Sequence, residues 1–214
     1  MARTPKTQSD KAGADKAKPD ASYHHGDLRA ALIAAARHIL ETEGREALSL
    51  RATARAAGVS QAAPYHHFAS KEALLAGVAA QGFDELSEAM SVRMAGETMA
   101  NARLNATGVA YVAFAVANPE LFALMFGGVT QKSSGDPALG AAGKRAYGVL
   151  QSAIKDAQIA KGRNAEDGGL AGLWSWCGVH GLAKLVIEQK LDPKSYGAPN
   201  AEALAQAMLM RVNP

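Results

Sequence analysis

Between Leu48 and Leu75, capping residues and a glycine follow one another so closely that only short helices joined by a turn fit. Ser49 precedes the alanine-rich stretch 51–57, where its hydroxyl can accept from a free backbone N–H two or three residues on. Alanine favours helix, and Gly58 supplies the positive φ that a helix end commonly needs. Ser60 is expected to cap a second helix over 61–67, and Ser70 a third that opens with Lys71 and Glu72. Two helices of about two turns, joined by a glycine turn of 3–4 residues, form a helix-turn-helix. Helices this short are unstable alone in water and must pack on a neighbour. The same corner also occurs in ordinary helical cores. As a DNA-reading unit, its second helix would expose Gln61, Ala62, Tyr65, His66 and His67.

The flanking pattern supplies that neighbour. From Asp27 to Glu43, Leu28, Leu32, Ala35, Ile39 and Leu40 recur at helical spacing, and Gly44 closes the helix. Its Leu28, Leu32 and Ile39 stripe should cover the two short helices. Leu48, Leu50, Val59, Phe68, Leu74 and Leu75 complete a small three-helix core. The helix from Lys71 runs past Gly82 to about Met94 and ties this unit to the rest of the chain.

The segments Thr53-Ala-Arg-Ala-Ala-Gly58-Val-Ser, Pro64-Tyr-His-His-Phe68 and Lys71-Glu-Ala-Leu-Leu75 resemble the N-terminal domain of the TetR family of bacterial repressors. Leu32 to Leu40, Glu43-Gly44 and Ala47 to Leu50 fit the same pattern in register, so the likeness covers about residues 25–85. Pro64 departs from it, since a larger apolar residue is usual there. Proline four residues into a helix removes an early backbone bond, so some distortion is expected at this point.

Charge adds little. The formal net charge is +3. Within 24–72 six basic residues stand against five acidic ones, so the polyanion preference must come from how charges segregate. Five of the six histidines, at 24, 25, 38, 66 and 67, lie in this segment and can donate to phosphate when charged. Residues 1–22 are polar, interrupted by Pro5 and Pro19, and read as a disordered, weakly basic tail. No stretch of 18 apolar residues without charges occurs, so no membrane partner is expected. The lack of a signal-peptide core and the single Cys177 point to the cytoplasm and exclude an internal disulfide framework.

Beyond the head, the chain is expected to be all-α. A helix is expected from Met99 to Ala117, broken at Asn118-Pro119 with Asn118 as a cap, and followed by a short apolar helix to Phe126. Residues 129–137 read as a polar loop. A helix over 137–160 should turn Leu139, Tyr147, Leu150, Ile154 and Ile159 inward. The span 168–189 is apolar around most of its circumference, which implies burial on both sides. Its glycines at 168, 169, 172, 178 and 181 each cost helix about 1 kcal/mol and call for the close approach of another helix. A last helix over 200–211 places Leu204, Met208 and Leu209 on one face.

Trp174 with His180-Gly181, the Pro119–Phe126 turn, and Tyr23-His-His-Gly-Asp-Leu-Arg29 resemble one TetR subgroup. The resemblance implies a homodimer paired through the helices at 168–189 and 200–211. It also implies a C-terminal body, residues 73–214, that holds an effector, and a DNA-binding unit spanning 23–72. Dimerisation would place two recognition helices in successive major grooves of a palindromic operator, about 34 Å apart.

Gln61 is the leading base reader, because its amide can bond adenine bidentately. Ala62 and Ala63 offer methyl contact to thymine. Ser49, Arg51, Ser60, Tyr65, His66, His67 and Lys71 complete the expected DNA-binding set, mostly on phosphates. A small, largely apolar effector is expected among Tyr111, Phe114, Phe122, Met125, Phe126, Tyr147, Trp174 and His180, each of which also suits a plain core. Adjacent histidines on a helix diverge by about 100°, so neither His24-His25 nor His66-His67 suggests a metal site. There is no phosphate-binding glycine loop and no nucleophile elbow, so neither an enzyme nor a cofactor is expected. The rival reading is a DNA-binding protein of the same fold with no effector, acting architecturally.

Overall fold

The computed structural model describes residues 28–128, 136–164 and 168–212. The N-terminal tail, His24, His25 and most of the 129–137 loop therefore lie outside the described residues.

Eight α-helices and no strand occur among the described residues. They are α1 (Leu28–Glu43), α2 (Leu50–Ala56), α3 (Lys71–Ala95), α4 (Ala100–Ala117), α5 (Pro119–Phe126), α6 (Pro137–Ala160), α7 (Gly168–Ile187) and α8 (Ala201–Val212). Local chemistry sets most of the boundaries. Ser49 Oγ accepts from Ala52 N–H at 3.1 Å and starts α2. Ser70 Oγ accepts from Ala73 N–H at 3.2 Å and starts α3. Gly44 and Gly58 take φ values of +82° and +68°, a conformation that costs glycine nothing. Asp136 caps α6 by accepting from Ala138 and Leu139 N–H, with Pro137 at the first helical position.

The small N-terminal core is the expected one. Leu32, Ile39, Leu40, Leu48, Leu50, Phe68, Leu74 and Leu75 are buried together, where α1 packs on α2 and α3. Helix α3 then continues into the second body and packs along α4 and α6, making one core continuous through both halves. Helix α4 lies centrally, touching α3, α6, α7 and α8.

Three expectations need correction. Residues 61–67 do not form an α-helix. They form a single 3₁₀ turn, Ala63–His66, with no side-chain cap from Ser60. Its bonds run mainly three residues back: Ala63 N to Ser60 O at 3.0 Å, Tyr65 N to Ala62 O at 3.1 Å, His67 N to Pro64 O at 3.0 Å. Pro64 has no N–H to continue an α-helical ladder, and its buried ring holds the turn against the head core.

Asn118 does not cap α5 with its side chain. Its Nδ2 donates to Phe114 O at 2.9 Å, and its Oδ1 accepts from Arg37 at 3.0 Å. Tyr147 and Ile159 on α6 are exposed, while Leu139, Leu150 and Ile154 are buried as expected.

Within one chain, α7 buries one side, and its other side is where the resemblance places a second copy. Val179, Leu182 and Ala183 face the core, whereas Leu170, Leu173, Trp174, Cys177 and Leu185 are exposed. Among the described glycines of α7, Gly172 alone is approached closely by the same chain, Ile154 Cδ1 lying 3.0 Å from where a Cβ would sit; Gly169, Gly178 and Gly181 face open space. Its span Gly169–Ile187 is long and apolar enough to cross a membrane, although its inner side belongs to this core.

Candidate nucleic-acid interface and cavity

The 3₁₀ turn and its flanking residues present a cluster of exposed side chains. Burying Pro64 and Phe68 turns the residues between and before them outward. Gln61, Ala62, Tyr65, His66 and His67 are exposed, Tyr65 at 55%, and Ala63 is half-buried. The guanidinium of Arg29 lies 5.3 Å from the centroid of the Phe68 ring, a cation–π contact that fixes the turn to α1. Ser60 and Arg51 are exposed on the same corner. Ser49 has its oxygen committed to the α2 cap but retains a proton to donate. Lys71 is less free than its sequence position suggests, because its Nζ donates to Arg45 O at 3.2 Å and pins the loop before α2. Arg45 and Arg55 are exposed near these residues and add positive charge that the expected set omitted. Among the described residues, no group of three His, Cys, Asp or Glu is placed to hold a metal.

A cavity of about 340 Å³ opens in the second body between α3, α4, α5, α6 and α7. Phe83, Leu86 and Met90 from α3, Tyr111 from α4 and Phe126 from α5 line it. Gly143, Ala146, Tyr147 and Leu150 from α6 and Trp176 from α7 complete the wall. Of the eight expected ligand residues, Tyr111, Phe126 and Tyr147 are in the wall. His180 lies just behind it, against Phe122 at 5.2 Å and edge-on to Phe126 at 4.9 Å, with its Nδ1 2.9 Å from Tyr111 Oη. Phe114, Phe122 and Met125 belong to the packed core outside the lining. Trp174 is 69% exposed on the outer side of α7, and Trp176 takes the cavity position expected of it. Burial raises the Tyr111 phenol well above its ordinary value, and burial with nearby Lys184 lowers the His180 imidazole.

Residues 104–212, just over half of the chain, match the tetracyclin repressor-like C-terminal domain, and residues 32–78 match the tetR family of bacterial regulatory proteins. The chain belongs to the TetR family of transcription regulators. A Rhodococcus sp. RHA1 structure of a protein with unknown function is 36% identical, covering 90% of this chain and 96% of that one, with a TM-score of 0.77. The TetR family regulator PfmR from Thermus thermophilus is 23% identical over 85% of this chain and 96% of its own, with a TM-score of 0.61. The regulator FadR from Bacillus subtilis, solved in complex with stearoyl-CoA, is 16% identical over 86% and 97%, with a TM-score of 0.65. The last two likenesses concern the fold alone. No curated protein matches the chain.

In this TetR-family regulator one polar cluster joins the head to the second body. Arg37 on α1 donates to Glu41 at 2.7 Å, to Glu85 on α3, and to Asn118 Oδ1 at 3.0 Å where α4 meets α5. Helix α5 runs from that junction to Phe126 in the cavity wall. Nothing in the local sequence marks this cluster, since Arg37 and Asn118 are 81 residues apart. Trp176 had a signal: it precedes His180 by four residues, which puts both on one face of a helix, whereas Trp174 is two residues away on another.

Proposed function

We propose that this DNA-binding regulator is a homodimeric, ligand-responsive repressor of a palindromic operator, with the effector held in the cavity between α3 and α7. The observation carrying the proposal is a shared element. Helix α5 forms part of the cavity wall through Phe126 and meets α1 of the head at its other end through Asn118 and Arg37. A ligand that shifts α5 therefore strains the contact that sets the angle of the head. For this to release DNA, the ligand must bind the DNA-incompetent arrangement better, because equal affinity for both shifts nothing.

Reading would fall mainly to Gln61, with the methyls of Ala62 and Ala63 beside it. Ser49, Arg51, Ser60, Tyr65, His66, His67 and Lys71 would hold phosphates. The outer side of α7 and its neighbour α8 is the proposed dimer face, carrying Leu170, Leu173, Trp174, Met208 and Met210 exposed to solvent. FadR from Bacillus subtilis, which shares the fold, is described in complex with stearoyl-CoA, and this supports a small-molecule effector.

The test combines a mobility-shift assay on the chain's own upstream DNA with a thermal-shift screen of small apolar compounds. Operator affinity should fall with salt by a log–log slope of about −0.9 per phosphate neutralised. A compound should be found that both stabilises the protein and weakens its DNA complex. A flat salt response would sink the DNA reading, and a screen with no such compound would sink the effector reading.

A further inference from the structure

One polar junction stands in the wall of the apolar cavity, and its bonding capacity limits what the cavity takes. Tyr111 Oη is 2.9 Å from His180 Nδ1 and 3.4 Å from Trp176 Nε1. An indole N–H only donates, so the phenol oxygen accepts from Trp176. Toward His180 there are two arrangements. With Nδ1 unprotonated, Tyr111 donates to it and keeps one lone pair. With the proton on Nδ1, Tyr111 accepts and keeps its own O–H. A partner that both donates and accepts satisfies Tyr111 in either arrangement, and among groups an apolar ligand can carry a hydroxyl is the smallest that does both.

The remaining wall restricts the rest of the molecule. Among the described residues no Lys, Arg or His lines the cavity, so a carboxylate or phosphate there would be buried without a counter-charge. A volume of about 340 Å³ lies at the low end of the roughly 300–1,000 Å³ typical of small-molecule pockets, which suits one ring or a short chain.

Building on the effector reading above, we infer that the cavity takes a compact, uncharged, mainly apolar alcohol or phenol whose hydroxyl bonds Tyr111 Oη. A long acyl group on a charged carrier does not meet these constraints. The experiment titrates the full chain with 4-propylphenol, propylbenzene, 4-propylbenzoate and stearoyl-CoA, in the wild type and in Tyr111→Phe. In the wild type the phenol should bind about tenfold more tightly than propylbenzene, the value of about one neutral hydrogen bond. Tyr111→Phe should weaken the phenol to the level of the hydrocarbon and leave the hydrocarbon unchanged. Equal wild-type binding of phenol and propylbenzene would overturn the inference without recourse to any variant. So would tightest binding by the benzoate or by stearoyl-CoA, or no binding by any of the four. The effector reading falls separately, only if the wider screen finds no compound that releases the operator.

Discussion

At the scale of single residues, glycines separate close packing from mere tolerance. A Cβ on Gly82 would sit 2.8 Å from Met125 Sδ and 3.0–3.1 Å from Leu121 Cδ1 and Cγ, both side chains fully buried. Overpacking of this kind costs about 1–3 kcal/mol, against a gain of about 1 kcal/mol from alanine's helix propensity. Gly82→Ala should therefore destabilise by about 1 kcal/mol in urea unfolding. Gly148, in the middle of α6, has nothing within 4 Å of its virtual Cβ, so Gly148→Ala should stabilise by about 0.5–1 kcal/mol in the same assay. His180 gives a residue-scale pH dependence. Its folded-state value is lowered, first by burial and then by the charge of Lys184 one turn on. As pH falls below the ordinary imidazole value of about 6.5, the unfolded chain takes a proton that the folded one refuses. The His180 contribution to stability is thus full above that pH and declines below it. The difference in thermal midpoint between wild type and His180→Phe should shrink on going from pH 7.5 to pH 5.5; a constant difference would contradict it.

At the scale of elements, caps and periodicity made most boundaries legible, because they act within a few residues. Ser49, Ser70, Gly44 and Gly58 perform the terminal roles their chemistry suggests. The failures lie where one residue overrides its neighbours or where the partner is remote. Pro64 reduces an expected α-helix to a 3₁₀ turn. Tyr147 and Ile159 fit an apolar period on α6 yet stay exposed, Tyr147 meeting Trp176 of α7 edge-on at the cavity wall. Of the eight expected ligand residues three line the cavity, and the Arg37 cluster was not legible at all, since α1, α3 and α4 meet there only after folding. That cluster carries the element-scale prediction. Arg37→Met keeps much of the apolar stem and removes the donors to Glu41, Glu85 and Asn118. Hydrogen bonds to charged groups contribute about 1.5–3 kcal/mol each at most, so a stability loss of about 1–3 kcal/mol is expected. Effector affinity in the absence of DNA should stay within about twofold, while the effector's ability to weaken operator binding should drop toward none. By linkage, an unchanged effector-induced shift would mean that coupling travels elsewhere.

At the scale of the whole molecule, the half-buried α7 leaves an uncovered face on a single chain. Leu170 is 81% exposed and Trp174 69%, on a helix whose other side belongs to the core. Gly178 and Gly181 leave open space beside them, although each glycine costs a helix about 1 kcal/mol relative to alanine. A second copy laid along α7 and α8 would explain both features, filling the space over the glycines and covering the apolar stripe. Stable interfaces bury about 1,200–2,000 Å² in total, and two long helices per protomer can supply that. Trp174→Glu puts a charge at the centre of this face without touching the cavity or the head. If the face is the dimer seam, sedimentation at micromolar concentration should show the wild type as a dimer and the variant mostly as a monomer, with helical content unchanged. Operator affinity should fall by at least two orders of magnitude, since a lone head reads one half-site and loses the second set of phosphate contacts. A variant that stayed dimeric would move the seam off α7. A monomeric variant with full operator affinity would instead show that one head is sufficient, and the palindromic operator would have to be given up.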